Sequence, residues 1–405
     1  MKAFGRRSSI AAPALEVFRW HERPGAFERL NTPWEPAAVV SRTGGIRGGQ
    51  VRLRVGPGPF KVNWLAEHGD YEEGRRFQDV QVKGPFSHWT HTHLFEPAAG
   101  GASYLEDRIE YELPGGLPVG GSLVAALLEE MFAYRHRTTE ADVRAHAECR
   151  GGKAMKVAVT GASGLVGRAL VPYLTTGDHS VVRLVRREPQ DTSEIRWDPA
   201  AGQLDVIRLA GVDAVVHLAG ESIADGRWTE AKKARLRDSR LGPTRVLAEA
   251  LAGMARPPKV LVCASAIGIY GDRGPEILTE SSAKGRGFLA ELGHEWEAAT
   301  EPARRKGIRV VNLRLGLVLS PGGGALGKML LPFRLGAGGR IGSGRQFMSW
   351  ISLDDLLDVI HRALTDRRLT GPVNAVAPRP VTNAEFTKTL GRELGRPTLA
   401  TLPAV

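Results

Sequence analysis

This sequence predicts two domains in series: an α+β unit built on a curved antiparallel sheet, then an α/β unit built on a doubly wound parallel sheet. Three observations carry the prediction. The chain has 405 residues, more than one hydrophobic core usually serves. Up to about residue 113 strand-like runs follow one another with turns between them, whereas from residue 155 strands alternate with helices. Between the two patterns lies "AECRGGKAM", residues 147–155, which has Gly151–Gly152 and no periodicity. The expected boundaries are 1–147 and 155–405, joined by a linker over 148–154.

In the first domain, "PALEVFRWHERPGAFERL" (13–30) has apolar residues at helical spacing, and Pro24–Gly25 breaks it into two short helices. An antiparallel meander is expected from about Ala37 to Leu113. Within it, "RFQDVQVKGPFSHWTHTHLFEP" is long and alternating, with Ser87, Trp89, His91, His93 and Phe95 on one face and Phe86, His88, Thr90, Thr92 and Leu94 on the other. "GSLVAALLEEMFAYRHRTTEADVRAHA" (121–147) then reads as one long amphipathic helix. A curved sheet gripping that helix leaves an apolar cavity between them, with Trp89 and Phe95, or their alternates, on its wall. His91 and His93 share a strand face and offer two metal ligands. No acid or cysteine stands beside them at motif spacing, so a polar cavity lining is expected and no metal.

In the second domain, strands are expected at 155–160, 180–186, 214–218, 259–264 and 309–315. Helices are expected at 165–175, 229–252 and 284–306, with two more at 353–365 and 382–395. The first strand runs into "TGASGLVG", where Gly161, Gly164 and Gly167 stand three apart. Gly161 permits the tight turn, Gly164 lets backbone approach a pyrophosphate, and Gly167 lets the helix pack on the strand. The pyrophosphate would sit on the helix N-terminus, where free N–H groups and the dipole favour anions. Strand, glycine turn and apolar helix together are the context that gives this spacing meaning. Thr160, Gly161, Ser163, Gly164, Leu165, Val166 and Gly167 are therefore cofactor candidates, as are Leu218, Ala219, Gly220 and Ala264 after the later strands. The second strand ends in Arg186 and Arg187 rather than an acid, which suits a 2′-phosphate. NADP(H) is expected and NAD(H) disfavoured.

"TGASGLVG", "DAVVHLAGESI", "ASAIGIYGD" and "RLGLVLSPGGG" resemble the extended and atypical short-chain dehydrogenase/reductases over residues 155–403. "HLAGESIADGRW", "SRLGPTRVLAEAL", "FLAELGHEWEAA" and "WISLDDLL" look like one subfamily of these, the NAD-dependent epimerase/dehydratase or cell-division-inhibitor-like proteins. The resemblance implies a Rossmann fold. The first half, through "FRWHERPGAFERL", "FQDVQVKGPFSHWTHTH" and "YELPGG", resembles the START/polyketide-cyclase (SRPBCC) superfamily, which implies a ligand-binding helix-grip fold around an apolar pocket and names no ligand. The epimerase/dehydratase resemblance of the second half also implies a further helical segment beyond "TLPAV", so a truncated C-terminus is expected.

Short-chain dehydrogenases use a Tyr four residues before a Lys to move the proton that accompanies hydride. None of the six tyrosines has Lys four residues on. At the positions of the pair stand Leu289 and Gly293, and Arg240 stands where the family has Asn. Ser265 occupies the family's Ser/Thr position and is expected to orient a substrate carbonyl. Glu221, after the fourth strand on the ligand side of such sheets, is expected to relay the proton. His217 reads as catalytic or as a satisfied core histidine. His294 and Glu297 read as catalytic or as helix surface. Arg227, Lys232 and Arg240 would hold an anionic substrate or are merely exposed. The chain is then an oxidoreductase or epimerase of atypical mechanism on a small molecule, or a non-catalytic NADPH sensor or carrier.

Bulk properties bound the rest. Hydrophobic content of 42% and charged content of 24% are ordinary for globular domains. Two cysteines are too few for a disulfide framework, which points to a reduced, cytoplasmic setting. The basic N-terminus lacks an apolar run, so no signal peptide is expected, and no stretch of about 18 apolar residues predicts a membrane span. The net charge of +11 invites nucleic acid, but no basic block is interleaved with aromatics, and no nucleic-acid partner is expected. Nothing in the sequence fixes an oligomeric state.

Overall fold

Alternation in the first half resolves into a seven-stranded antiparallel sheet. The computed structural model describes residues 1–34, 37–56, 60–116, 121–149 and 153–403. Its elements begin with β1 (Lys2–Ile10), α1 (Ala14–Glu22), α2 (Ala26–Leu30), β2 (Ala38–Gly45) and β3 (Gly48–Val55). They continue with β4 (Val62–Glu72), β5 (Arg76–Lys83), β6 (His88–Pro97), β7 (Ser103–Glu112) and the long α3 (Gly121–Cys149). The sheet order is β1-β7-β6-β5-β4-β3-β2, a meander whose first strand returns to pair with its last.

The stretch expected as one alternating strand is a hairpin. Gly84 and Pro85 interrupt it, and proline cannot donate to a ladder. Within β6 the alternation holds: Trp89, His91, His93 and Phe95 are buried and His88 is exposed. The turn re-aims Phe86, whose ring lies 4.8 Å from Trp89 and 5.7 Å from Trp64, on the face expected for its alternates; Ser87 is exposed. Two apolar clusters hold the unit. Phe18 and Trp20 of α1 pack with Phe95 and Leu105, and Leu128 and Phe132 of α3 pack with Ile109 and Tyr111. Each such side chain contributes about 1.5–3 kcal/mol on burial.

The second half is the expected parallel sheet. In order it has β8 (Lys156–Thr160), α4 (Leu165–Thr176), β9 (Ser180–Val185), β10 (Glu194–Asp198), β11 (Gln203–Leu204), β12 (Ala214–His217) and α5 (Glu230–Gly253). Then come β13 (Val260–Ala266), α6 (Phe288–Ala298), α7 (Glu301–Arg305), β14 (Arg309–Leu315), β15 (Leu317–Leu319) and α8 (Gly324–Arg334). The chain closes with β16 (Gly339–Ile341), β17 (Phe347–Met348), β18 (Trp350–Ser352), α9 (Leu353–Thr365), β19 (Gly371–Ala375), β20 (Val381–Thr382), α10 (Asn383–Glu393) and β21 (Ala400–Leu402). Strand order is β11-β10-β9-β8-β12-β13-β14-β19, parallel except at β10–β11. The order reverses between β8 and β12, and open α/β sheets bind ligands at the carboxyl ends of strands at such a point. Ala158, Val215, Leu247, Leu261 and Val310 form part of the buried core beneath it.

The helix expected over 284–306 is two helices. Gly287, at φ 95°, starts the first, and Pro302 opens the second, where a missing N–H costs nothing. Among the described residues, no helix is long and apolar enough to cross a membrane. Contacts divide the chain into Met1–Arg150 with Pro172–Asp178, and Gly151–Val171 with His179–Val405. In the expected linker, residues 150–152 lie outside the described residues, and α3 runs to Cys149.

Candidate functional site

The glycine turn sits where β8 meets α4. Gly161 has φ +68°, and a Cβ there would lie 2.8 Å from the Leu218 carbonyl carbon and 2.9 Å from Ala219 N. Only glycine supplies both the left-handed backbone and that approach. A Cβ on Gly167 would lie 2.3 Å from Gly161 O, so the first turn of α4 folds tightly onto the loop. Ser163 and Gly164 are exposed, and the first N–H groups of α4, those of Leu165 and Val166 among them, start a helix whose opening turn lacks intrahelical acceptors. Thr160 is fully buried, and its Oγ1 accepts from Leu218 N at 3.1 Å and Ala219 N at 3.3 Å. Its side chain clamps the end of β12 to the end of β8.

His217 is a core histidine. Its Nδ1 is 2.7 Å from Thr160 Oγ1 and its Nε2 2.9 Å from Thr244 Oγ1, and burial lowers its pKa to about 4. Arg240, in the family's Asn position, is buried over the Trp296 ring and donates to the Glu221 carbonyl at 2.9 Å, bracing the turn through Gly220. Arg227 is exposed.

The two arginines after β9 separate. Arg187 donates to both carboxylate oxygens of buried Glu194, at 2.6 and 2.7 Å. Arg186 is exposed and, among the described residues, makes no ion pair or hydrogen bond. Sequence reading treated them alike because the pairing partner comes from β10, a strand it missed.

Ser265 and Glu221 belong to separate networks. Ser265 is buried and donates to Glu297 Oε1 at 2.7 Å. Arg314 donates to the same carboxylate at 2.8 and 2.9 Å and to the Tyr270 hydroxyl at 2.8 Å; Tyr270 donates to Asn374 Oδ1 at 2.7 Å. The sequence predicts that Ser265 donates to a substrate carbonyl; in the structure, which holds no ligand, its hydroxyl donates to an internal carboxylate. Glu221 is half-buried, with Lys232 Nζ at 2.6 Å and Arg235 Nε at 3.4 Å. The hydrogen bond from Lys232 lowers its pKa, so it stands as a carboxylate. Leu289 and Gly293 of α6 face the turn after β13: a Cβ on Gly293 would lie 3.1 Å from Ile269 Cβ. Arg314 was missed, although a charge inside the apolar strand "RVVNLRL" is a signal that could have found it.

A family model described as "NAD dependent epimerase/dehydratase family" matches residues 157–375. The chain belongs to that family. Residues 10–134 match a second model, "Polyketide cyclase / dehydrase and lipid transport". An epimerase family protein of Mycobacterium bovis is 49% identical over 251 residues, covering 62% of this chain and 82% of that protein. A crystal structure described as the nucleoside-diphosphate sugar epimerase from Corynebacterium glutamicum superposes with a TM-score of 0.83 at 36% identity, over 99% of this chain and 85% of that one. The human epimerase family protein SDR39U1, solved with NADPH, gives a TM-score of 0.56 at 38% identity, over 62% of this chain and 83% of that one. The resemblance read from the motifs is thus the family found, and the Rossmann-type sheet with an antiparallel N-terminal domain is the architecture found.

The first unit holds a cavity of about 570 Å³. Trp64, Phe77, Phe86 and Trp89 line it; Phe95 lies behind, packed 5.2 Å from Phe18. Into this apolar wall open Asp79, His91 and His93. Asp79 is the direct cross-strand partner of His91, which places an acid beside the histidine pair that no spacing within the sequence reveals. Burial opposes the charged form of His91, but its two carboxylate neighbours raise its pKa to about 9; burial, then His91, lowers that of His93 to about 4.

Proposed function

We propose that the second unit binds NADP(H) and works as an oxidoreductase or epimerase of a small molecule, without a Tyr–Lys pair, and that the first unit holds an apolar ligand. The observation that carries this reading is the glycine turn at the sheet's reversal point, with left-handed Gly161 pressed on Leu218 and Ala219. The loop Gly161–Gly167 and the start of α4 would hold the pyrophosphate. Exposed, unpaired Arg186 would meet the 2′-phosphate, with Arg187 and Glu194 fixing the strand end that carries it. Leu218, Ala219, Gly220 and Ala264 would wall the cofactor. The NADPH in the human relative supports the same choice over NAD(H). The bound nicotinamide supplies the hydride chemistry. Glu221, ionised by Lys232, relays the proton at this crevice as an acceptor, while Ser265 acts as a positioning residue by holding Glu297.

A second reading, a non-catalytic NADPH sensor or ligand carrier, is favoured by one observation: Leu289 and Gly293 pack into the place of the proton-transfer pair. Native mass spectrometry of the freshly purified full chain tests the shared premise. A mass increment matching NADP(H) is expected, and a chain that never carries or takes up a dinucleotide would overturn both readings. Oxidation of the bound NADPH on exposure to carbonyl or sugar-nucleotide compounds then separates the enzyme from the sensor.

A further inference from the structure

We propose that Asp79, His91 and His93 form a binding site for one divalent first-row transition-metal ion, opening onto the apolar cavity of the first unit. The donors converge from two paired strands. His91 Nδ1 lies 3.0 Å and His93 Nε2 3.9 Å from Asp79 Oδ2, and one donor atom from each of the three residues falls within 4.8 Å of the others. Metal–donor bonds of about 2.0–2.2 Å put neighbouring donors about 3–3.5 Å apart, so closure needs a movement of roughly an ångström.

The nitrogens on the far side of both rings have a backing carboxylate. His91 Nε2 is 2.8 Å from Asp107 Oδ1, and His93 Nδ1 is 2.6 Å from the same oxygen, although out of line for a hydrogen bond. Asp107 is itself fixed by His136 Nε2 at 2.6 Å, and His136 Nδ1 reaches Ser8 Oγ at 2.8 Å. Ligating histidines turn their second nitrogen to such a carboxylate, which fixes the ring and raises its basicity. Asp107 and His136 do not line the cavity, whereas the three donors do, so the arrangement has an inner and an outer layer.

The donor chemistry agrees: metal ligation takes both imidazoles neutral, so a dication would displace the proton that His91 holds between Asp79 and Asp107. Two histidines and one carboxylate suit zinc or iron(II) better than calcium or magnesium, which prefer oxygen donors. Three protein ligands leave coordination positions open, and these face the cavity. Arg135 lines the same cavity with no carboxylate within ion-pair distance among the described residues. The ligand taken there has an apolar body and an anionic oxygen donor, a carboxylate or an enolate, directed at the metal and Arg135.

The full chain, without a polyhistidine tag and stripped by a chelator, is titrated with cobalt(II) chloride and followed by visible absorption and calorimetry. One cobalt per chain is expected, with hyperfine-shifted imidazole proton resonances from two histidines. Asp79→Asn and His93→Ala should each weaken binding at least tenfold, and His88→Ala, on the outer face of the same strand, should not. Absence of a stoichiometric site in the unaltered chain, absence of shifted imidazole resonances, or folded Asp79→Asn and His93→Ala chains that bind cobalt as well as the unaltered one would each overturn the proposal. The resonances of the unaltered chain decide the matter if those variants do not fold.

Discussion

Single residues in the second unit divide by what their polar atoms are already doing. Ser265, Arg187 and Thr160 were all candidates for touching a ligand, and all three are engaged inside the protein. Sequence alone shows which residue type stands at a motif position; it does not show whether a neighbour from another element already holds its polar atoms. Ser265 illustrates the consequence. Its donation to Glu297 is a hydrogen bond to a charged group, of a kind that contributes about 1.5–3 kcal/mol. Because Arg314 still holds that carboxylate, Ser265→Ala should cost about 1–2 kcal/mol in denaturant unfolding. NADPH affinity should stay unchanged, and any turnover should fall less than tenfold. Unchanged stability beside a rate loss of ~10²–10³ would return the serine to the role of an oxyanion donor.

Elements were more legible than sites. The strands β8, β9, β12, β13 and β14 and the helices α4, α5, α9 and α10 follow from apolar periodicity, because long buried elements repeat one pattern. Misses fall where periodicity is too short or interrupted. β10, with buried Glu194, breaks the rule that buried strand positions are apolar, and β19 opens on Gly371–Pro372. Pairing between β5 and β6 was unreadable as well, so Asp79 was not seen beside His91. At α6, Leu289 and Gly293 pack closely against the turn after β13. Gly293 faces Ile269 so closely that a larger residue must displace the turn after β13. Rebuilding the missing pair as Leu289→Tyr with Gly293→Lys should therefore destabilise the chain by about 1–3 kcal/mol, the usual cost of overpacking, and yield no carbonyl reductase. A stable double variant with new NADPH-dependent activity would show that the crevice accepts the ordinary proton-transfer pair.

At the scale of the whole molecule, two binding chemistries share one chain: a glycine turn built for a dinucleotide, and an apolar cavity with a polar cluster in its wall. The cofactor half rests on local sequence and was legible. The polar cluster draws on β5, β6, β7 and α3, so only the tertiary fold assembles it. On the proposed function the second unit is built for NADP(H), and Arg186 is the free guanidinium that selects it. Calorimetric titration of the unaltered full chain and of Arg186→Ala, each with NADPH and with NADH, tests this most directly. The unaltered chain should bind NADPH at least tenfold more tightly than NADH, about 1.4 kcal/mol, and Arg186→Ala should lose that preference while keeping its affinity for NADH. Equal affinities for the two cofactors in the unaltered chain, or a preference that survives Arg186→Ala, would contradict the claim.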